Sequence, residues 1–387
     1  MRIAYCAHVR LPSERAHGHQ IAHVCDAMIA LGHEVTLFAP TRRSAITEDY
    51  HTYYGANKSV QVRYLPSFDQ HTLPVGKGAF GLWLSNISLR RAFRKALTGA
   101  QLDLLYTRSP ALLPSLLHTG IPVLLELHQL PRRNRKSFVH LCNNCRSVAC
   151  LTSPMRDELL QWGVDPSKLF VEGDAVDATW LTRVPDTHRF RQRYEIPENV
   201  PVVGYAGQLA SMGIEKGVEV LLQSLVQIHR NGMQVHALIA GGPASAQQKF
   251  EVSLSSDMEP FVHFTGSLKQ QDIPDLLASC DVLVYPAPRS DHSYFQRDTS
   301  PLKLFEYMAV GKPIVCADLP PLHDVLSEEH VTFAVPGDAE SFSGAIASVL
   351  SDPDTAFRKV ARAKQLVASH TWEKRMERIL RSVRTYS

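Results

Sequence analysis

Hydrophobic runs and helical repeats alternate along almost the whole chain. Arg2–Ala7 has the pattern of a buried strand, Gln20–Leu31 has a helical pattern, and Glu34–Phe38 has the pattern of a second strand. Gly32 suits the position just after the end of the helix, because it adopts the left-handed conformation without strain. A strand, a helix and a strand in this order build a parallel sheet, so the pattern predicts an α/β protein.

The same alternation fills both halves of the chain. In the first half it predicts further strands at Val60–Tyr64, Leu102–Thr107, Val123–Leu127, Val148–Thr152 and Leu169–Val171, and helices at Asn86–Leu97, Leu112–His118 and Pro154–Trp162. In the second half it predicts strands at Val202–Tyr205, Val235–Ala240, Val262–Phe264, Val282–Tyr285, Pro313–Ala317 and Thr332–Ala334. Helices are predicted there at Val218–Arg230, Ala246–Ser255, Ile273–Ala278, Pro301–Val310, Ala339–Leu350, Phe357–Ser369 and Trp372–Tyr386.

A Pro- and charge-rich stretch, Asp174–Val200, interrupts the pattern and is predicted to be a linker. A chain of 387 residues is also too long for one ordinary core. We therefore predict two doubly wound α/β domains, residues 1–183 and 184–371, with the closing helix in 372–387.

Composition fits a soluble globular protein, with 44% hydrophobic and 20% charged residues. No signal peptide and no apolar run long enough to span a membrane are expected, and seven cysteines in mostly apolar segments favour reduced thiols in a cytoplasm. The net charge of +3 hides an asymmetry, because residues 1–183 carry +7 and the remainder −4. The basic half suits either an anionic partner, such as a phosphorylated acceptor or an acidic membrane surface, or solubility alone.

The stretch Asp298–Ala317 carries the first chemical signal. Ser300 is predicted to cap a helix that begins at Pro301, which leaves the amides of Leu302 and Lys303 free to bind an anion. Two acids flank this helix end, Asp298 before it and Glu306 inside it. An ordinary cap with a solvated acidic face is the plainer interpretation of the same residues.

The order and spacing of several motifs resemble the retaining glycosyltransferases of family 4, over nearly the whole chain. The motifs are GHQIAHVCDAMIALGHEVTLFAP, LLYTRSP, LLELHQLP, LTSPMRDELLQWGV, GYAGQLASMGIEKGVEVLL, LIAGGP, HFTGSLKQQDIPDLLASCDVLVYP and SPLKLFEYMAVGKPIV. The resemblance implies the GT-B architecture, in which two Rossmann-like domains face each other across a cleft. It also implies metal-independent, cofactor-free transfer of a hexose from a nucleotide-diphosphate sugar to a hydroxyl acceptor, as in bacterial glycan, glycolipid or glycoconjugate synthesis. No nucleic acid is implied as a partner.

The resemblance also implies which residues hold the donor. The first acid of the family motif is matched by Asp298, which would lie against the sugar, and the second by Glu306, which would bind the ribose. The other donor-binding positions are Gly207, Gln208, Lys216, Gly266, Ser267, Leu268, Ser300, Leu302 and Lys303. Two of these positions depart from the family pattern, because Asp298 stands where Glu is usual and Gln208 where Arg is usual. The donor base, the sugar and the acceptor stay open at this stage.

The acceptor side is implied to lie over the first domain. His128 matches a histidine that faces the sugar or acceptor in many relatives, and an imidazole suits a hydroxyl or a proton relay. A structural histidine at a strand end is the plainer interpretation. Gly18 would let the first helix approach the diphosphate or acceptor, and Arg132 and Arg133 would attract a phosphate-bearing acceptor. The basic segment Gly76–Gly99 suits peripheral docking on an anionic membrane, and an ordinary half-buried helix with a solvated basic face is the plainer interpretation.

Other function classes are less well supported. A decayed site at Gln208 and Asp298 would give a GT-B protein that binds sugar nucleotides or a partner without turnover. A nicotinamide-dependent dehydrogenase would need a G-x-G-x-x-G turn that the chain lacks. The pattern C-x2-C-x4-C at Cys142–Cys150 and the pair His19 and His23 lack further zinc ligands at the usual spacing. Asp352-Pro-Asp354 is predicted to cap a helix rather than to bind a metal.

Overall fold

The structure is a computed structural model that describes residues 1–13, 16–69, 79–211 and 213–384. The chain divides into two units. The first comprises Met1–Gly173 together with the C-terminal segment from Trp372, and the second comprises Asp174–Thr371. The division therefore falls after residue 173 rather than after residue 183. The C-terminal segment belongs with the first unit, where the sequence placed the closing helix.

Within its described residues, the first unit has one sheet of seven strands, all parallel. They are β1 (Arg2–Cys6), β2 (Glu34–Thr41), β3 (Gln61–Pro66), β4 (Leu104–Thr107), β5 (Val123–Leu127), β6 (Ser147–Cys150) and β7 (Leu169–Val171). Their spatial order is β3-β2-β1-β4-β5-β6-β7. The direction of winding reverses between β1 and β4, as in doubly wound folds.

The helices of this unit cover the sheet. They are α1 (Ala16–Ala30), α2 (Tyr50–Tyr54), α3 (Ala79–Leu97), α4 (Leu113–Leu116), α5 (Arg135–Asn143) and α6 (Ser153–Trp162). Thr152 caps α6 by accepting the N–H of Met155, and Gly163 ends it in the left-handed conformation. Strands β4, β5 and β6 are buried along their whole length, which explains why their sequences are apolar runs.

Within its described residues, the second unit has a six-stranded parallel sheet and a small antiparallel pair. The pair is β9 (Ala210–Ser211) with β10 (Ile214–Glu215). The large sheet contains β8 (Val202–Ala206), β11 (His236–Ala240), β12 (Val262–Gly266), β13 (Val282–Tyr285), β14 (Ile314–Ala317) and β15 (Thr332–Ala334), in the order β12-β11-β8-β13-β14-β15. By position along the unit this is the Rossmann order 3-2-1-4-5-6.

The helices of the second unit and the closing helix complete the fold. They are α7 (Thr179–Thr182), α8 (Arg189–Arg193), α9 (Val218–Arg230), α10 (Ala244–Ser253), α11 (Ile273–Ala278), α12 (Leu302–Val310), α13 (Ala339–Ser351), α14 (Pro353–Val367) and, in the first unit, α15 (Trp372–Arg384). Asp352 caps α14 by accepting the N–H of Thr355, so the predicted capping role of Asp352-Pro-Asp354 is confirmed.

The prediction that Asp174–Val200 is a linker is wrong, because this segment is part of the second unit. Phe190 is buried in the core of this unit. Beside it, the guanidinium of Arg191 is buried, contacts the Asp281 carboxylate at 2.6 Å, and donates to the carbonyl of Ser279 at 3.0 Å. A segment rich in charge and proline therefore becomes part of a domain because its charges are paired on the surface it covers.

Each predicted strand is present, and β5, β7, β13 and β15 have the predicted bounds. The pair β9 and β10, and helices α2, α5, α7 and α8, were not predicted, since short elements carry too few periodic positions. The predicted residues Gly76–Gly78 of the basic segment, and Thr385 and Tyr386 of the closing helix, lie outside the described residues. Among the helices that the structure describes, none is both long and apolar enough to cross a membrane.

Candidate functional site

Three glycines bring the strand ends of the second unit into close contact. The N–H of Gly207, just after β8, donates to Ala240 at 2.9 Å, and the N–H of Gly241 donates to Gly266 at 2.9 Å. A Cβ on Gly241 would lie 1.7 Å from the carbonyl oxygen of Gly207, and Gly241 has a φ of +144°. Only glycine fits there. The backbone is therefore open at the carboxyl ends of β8, β11 and β12, where doubly wound sheets bind ligands.

Helix α12 enters this region with its amino end. The predicted N-cap, Ser300, is wrong, because the Ser300 hydroxyl accepts the N–H of Asp174 at 2.8 Å. Pro301 occupies the cap position with an extended backbone, and the helix begins at Leu302. The first amides, those of Leu302 and Lys303, have no preceding helical turn to pair with, so they can bind an anion. Tyr307 fixes the helix to β8, because its hydroxyl accepts the N–H of Ala206 at 2.9 Å.

Lys303 projects from this helix end into an aromatic enclosure. Its Nζ donates to the hydroxyl of Tyr205 at 3.0 Å and lies 4.3 Å and 4.9 Å from the ring centroids of Tyr205 and Tyr285. A Cβ on Gly207 would lie 2.9 Å from the same nitrogen. Burial, and then the charge of Lys216, lower the pKa of Lys303 to about 7. Among the residues that the structure describes, no carboxylate forms a salt bridge with this ammonium, so an anionic ligand would stabilise it.

Lys216 supplies a second amine, which lies against a different ring. Its Nζ lies 3.6 Å from the ring centroid of Tyr294, and burial lowers the pKa of Lys216 to about 8. The neighbouring Glu215 does not pair with it directly but caps α9, because its carboxylate accepts the N–H of Gly217 at 2.7 Å and of Val218 at 2.5 Å. The charge of Lys216 contributes to the lowered pKa of Lys303, and a bound anion would offset this repulsion.

Glu306 lies one turn after Lys303 on α12. Burial raises the pKa of Glu306 to about 7, and this outweighs the hydrogen bond from Gln270 and the charge of Lys303. The Gln270 amide donates to its carboxylate at 3.1 Å. A carboxylate at this place can accept hydrogen bonds from a diol, which is the chemistry predicted for ribose.

Asp298 is nearly fully buried and pairs with its neighbour. The Arg297 guanidinium contacts both oxygens of the carboxylate, at 2.6 Å and 3.1 Å. This two-pronged pair fixes the orientation of the acid. The contact of Asp298 with a donor sugar stays a prediction.

The other predicted donor residues occupy the same sheet end. The side chain of Gln208 is exposed, and its carbonyl accepts the hydroxyl of Tyr205 at 2.7 Å. Ser267 is exposed, with its Oγ beside Gly242, and Leu268 packs on the core. Sequence reasoning missed the tyrosines beside the two amines, which are Tyr205 and Tyr285 at Lys303 and Tyr294 at Lys216. Tyr205 and Tyr285 lie in apolar strands and Tyr294 lies between β13 and α12, and neither kind of position signals a ring beside an amine.

In the first unit, His128 lies directly after β5 and contacts Glu126. Burial, and then the Arg108 guanidinium, lower the pKa of His128 to about 4 although Glu126 raises it. The Glu126 carboxylate accepts from Tyr106 and His128, and Arg375 of α15 contacts it at 3.3 Å. Burial raises the pKa of Glu126, but Arg375 and then His128 outweigh it and hold this pKa well below its usual range.

Glu126 was missed from the sequence, although its spacing carried a signal. Residues two apart on a strand lie on the same face, so a strand ending in Glu-x-His brings a carboxylate next to the imidazole. A carboxylate bound to Nε2 requires the proton on that nitrogen. Because the pKa of His128 is lowered to about 4, the ring is neutral near pH 7, and Nδ1 is then a hydrogen-bond acceptor.

The approach of Gly18 to a diphosphate or acceptor stays a prediction, and the structure shows a second reason for a glycine at this position. Helix α1 begins before it, at Ala16, and a Cβ on Gly18 would lie 2.1 Å from the hydroxyl of Tyr54. That hydroxyl accepts the N–H of Ser13 at 2.7 Å. Residue 18 therefore has no room for a larger side chain, because the hydroxyl of Tyr54 occupies the space beside it.

Arg132 and Arg133 are exposed in the loop between β5 and α5. Among the residues that the structure describes, no three His, Cys, Asp or Glu side chains come together as a metal site requires. All seven cysteines are buried free thiols. His23, one of the two histidines considered for zinc, stacks on Trp372 with ring centroids 5.6 Å apart.

Similar solved structures share this fold. HepE of Anabaena in complex with UDP and glucose superposes with a TM-score of 0.73 at 18% identity, covering 100% of both chains. Sucrose-phosphate synthase of Thermosynechococcus elongatus gives a TM-score of 0.76 at 16% identity, covering 100% of this chain and 98% of that one. Two Rossmann-like parallel-sheet units matching such structures confirm the predicted GT-B architecture.

The curated relatives match different shares of this chain. A GDP-mannose-dependent alpha-mannosyltransferase of Mycolicibacterium smegmatis is 25% identical over 96% of this chain and 94% of its own length. The 2-deoxystreptamine glucosyltransferase and the alpha-D-kanosaminyltransferase of Streptomyces kanamyceticus are 26% and 24% identical over 50% and 59% of this chain. This chain spans only 48% and 58% of the length of these two relatives.

Family descriptions match both halves of the chain. Residues 18–179 match "Glycosyltransferase Family 4", and residues 200–352 match "Glycosyl transferases group 1". The first match contains His128, and the second contains the glycine-rich strand ends, Lys216, Lys303 and Glu306. The chain thus belongs to the family 4 and group 1 glycosyltransferases of the GT-B fold.

Proposed function

We propose that this protein transfers a hexose from a nucleotide-diphosphate sugar to a hydroxyl acceptor, with retention of the anomeric configuration and without a metal ion. The observation that carries the proposal is Lys303, a desolvated ammonium beside Gly207 at the amino end of α12. HepE, which has the same fold, is described in complex with UDP and glucose. One relative is named a 2-deoxystreptamine glucosyltransferase and another an O-antigen chain mannosyltransferase, which supports a role for this protein in building a glycan or glycoconjugate.

The second unit supplies what the leaving group needs. When the bond between the sugar and the phosphate breaks, the departing nucleotide diphosphate gains negative charge. Lys303, Lys216 and the amides of Leu302 and Lys303 are already fixed by surrounding rings and by the helix, so little reorganisation opposes the reaction. These charges could serve in place of a divalent cation. The Glu306 carboxylate would hold the ribose hydroxyls.

The first unit supplies a neutral imidazole for the acceptor. The Nδ1 of His128 can accept the hydrogen of an acceptor hydroxyl and orient its oxygen, while Glu126 holds the ring from the other side. A pKa of about 4 makes His128 a weak base. We therefore assign the proton of the attacking hydroxyl to the leaving phosphate oxygen, on the face from which the nucleotide departs.

Replacing Glu306 with alanine should abolish the rise in melting temperature that the true donor produces. The change removes the carboxylate that accepts hydrogen bonds from the ribose hydroxyls, so the donor should no longer stabilise the protein. The fold should persist, because burial disfavours the ionised form of this carboxyl. The measurement is a thermal-shift screen of UDP-, GDP-, ADP- and TDP-sugars with both proteins. Glu340→Ala, at an exposed glutamate of α13, is the matched control. An unchanged shift in Glu306→Ala would remove Glu306 from the nucleotide site.

The pairing of Asp298 with Arg297 supports a second candidate, a GT-B protein that binds a sugar nucleotide without turnover. An acid held by its neighbour, together with Gln208 in place of arginine, is what a decayed site would contain. Donor hydrolysis or transfer distinguishes the two functions. Product formation that depends on Lys303 would exclude the binding module, and tight donor binding with no product from any acceptor would establish it.

We also propose a peripheral position on the inner face of a membrane. On α3, Trp83, Arg91, Arg94 and Lys95 share one exposed face, whereas Arg90 points to the protein and donates to Ala111 at 2.6 Å. An indole among cations suits an anionic lipid surface, and free thiols suit the reducing side. Vesicles with anionic lipid should co-sediment the protein, and Trp83→Ala with Arg91→Gln should weaken this. Equal sedimentation with neutral vesicles would contradict the proposal.

A further inference from the structure

A cavity of about 350 Å³ lies in the first unit at the carboxyl ends of β1, β4 and β5. Its lining includes Tyr5 from β1, His8 just after β1, Arg108 just after β4, and His128 just after β5. Strand β1 lies between β2 and β4, so the cavity is at the point where the winding of the sheet reverses. This is where doubly wound sheets bind their ligands.

Two polar atoms in the lining are unsatisfied. The hydroxyl of Tyr5 and the Nη1 of Arg108 are buried, and neither has a hydrogen-bond partner among the described residues. Tyr5 is 0% exposed. Buried hydroxyls and guanidinium N–H groups are almost always paired in proteins, because an unpaired one loses its hydration without replacement. Both atoms can donate a hydrogen bond, so the missing partner is an acceptor.

The charge around these atoms is positive. Arg108 and Arg375 both act on the same carboxylate, that of Glu126, and both lower its pKa although burial raises it. Glu126 already accepts from Tyr106 and His128. One carboxylate therefore faces two guanidiniums, and the missing acceptor would best carry a negative charge.

Two imidazoles in the lining offer hydrogen-bond acceptors rather than donors. The Nε2 of His8 lies 2.6 Å from the Asn86 amide oxygen, and the Nε2 of His128 contacts Glu126, so each Nε2 carries the proton. Burial lowers the pKa of both His8 and His128, which keeps the rings neutral. Each Nδ1 is then an acceptor, and the ligand chemistry that suits an acceptor is a hydroxyl.

We propose that this cavity binds an acidic sugar unit of the acceptor, with its carboxylate or phosphate on Arg108 and Tyr5 and its hydroxyls on His8 and His128. The proposal rests on the proposed function, since the hydroxyl next to His128 is the one that receives the transferred sugar. Carboxylate and phosphate share the chemistry that Arg108 recognises, and the probes below distinguish them.

The test is calorimetric titration of glucuronate, glucose 6-phosphate and glucose into the full chain. The nucleoside diphosphate whose sugar gives the thermal shift is present in excess throughout, so that the second unit does not take up the phosphate of the probe. We expect at least one acidic probe to bind. The Kd of glucose should be at least about tenfold higher than the Kd of that acid. The acid that binds more tightly identifies the anion.

Arg108→Gln should weaken binding of the acidic probe by about 10- to 100-fold, because a hydrogen bond to a charged group is lost. Arg63→Gln, at an exposed arginine of the same unit, is the matched control and should bind as the unchanged protein does. If Arg108→Gln does not fold, Tyr5→Phe removes only the hydroxyl and should weaken binding by about 3- to 10-fold.

The proposal is overturned if none of the three probes binds, if glucose binds as tightly as the acids, or if the folded variant binds the acids unchanged. Titration of that nucleoside diphosphate alone separates this result from the donor site. If none of UDP, GDP, ADP and TDP binds, the result counts against the donor site alone, while absent acid binding with normal nucleotide binding would count against the cavity alone.

Discussion

Lys303→Met should lower the transfer rate by about 10²- to 10³-fold while leaving the protein folded. The size of the effect is that of removing one fixed donor to a developing negative charge. The melting temperature should not fall, because methionine fills a similar volume in the enclosure of Tyr205 and Tyr285 without a charge to desolvate. Burial already lowers the pKa of Lys303 to about 7, which means that the ammonium is disfavoured there when no ligand is present.

The measurement is kcat and donor Kd for the variant and for Lys249→Met, which changes an exposed lysine of α10 in the same unit. A role in the transition state lowers kcat more than it weakens donor binding. Unchanged kcat in Lys303→Met would contradict the assignment of Lys303 to the leaving group. A large loss in Lys249→Met would show instead that net charge alone controls the rate.

Arg375→Met should destabilise the first unit by about 3–5 kcal/mol, since removing one partner of a buried ion pair leaves the other charge uncompensated. Both Arg375 and Glu126 are 0% exposed, and Arg375 also donates to the carbonyl of Gly173 at 2.5 Å. Hydrogen exchange of amides in β4 and β5 measures this loss in the unit concerned. Arg378→Met is the matched control on α15, because that guanidinium is 38% exposed and its pair with Glu172 should contribute only about 1 kcal/mol.

The double variant Glu126→Gln with Arg375→Met checks the cause. If the uncompensated carboxylate is the source of the destabilisation, neutralising it should restore much of the lost protection. A double variant no more stable than Arg375→Met would attribute the loss to packing of the arginine rather than to charge.

The parts of the donor site that could be predicted from the sequence are those whose residues are neighbours in the chain. Lys303 and Glu306 belong to one helix, so the local pattern was enough to single out that helix end, and the family resemblance added Gly207 directly after an apolar strand. The enclosure around Lys303 was not visible. Tyr205 contacts it from 98 residues away in the chain, and no local pattern encodes a contact of that separation.

Ser300 shows the opposite case, in which a sound local rule was overruled by a distant group. Serine before proline is a common cap, but the Ser300 hydroxyl accepts the backbone N–H of Asp174 instead. At Gly18 the predicted approach of a ligand stays a prediction, and the hydroxyl of Tyr54, which no local pattern places there, fills the space beside the glycine.

The sequence by itself determined the two α/β units, the order of their strands along the chain and the family, because buried parallel strands must be apolar and glycines must stand where backbones touch. Only the tertiary structure decided the chemistry of the site. It surrounded Lys303 with rings, paired Asp298 with Arg297, and left Tyr5 and Arg108 unsatisfied in one cavity. Burial and charge at a side chain are sums over neighbours from several strands, and these neighbours are assembled only when the sheet forms.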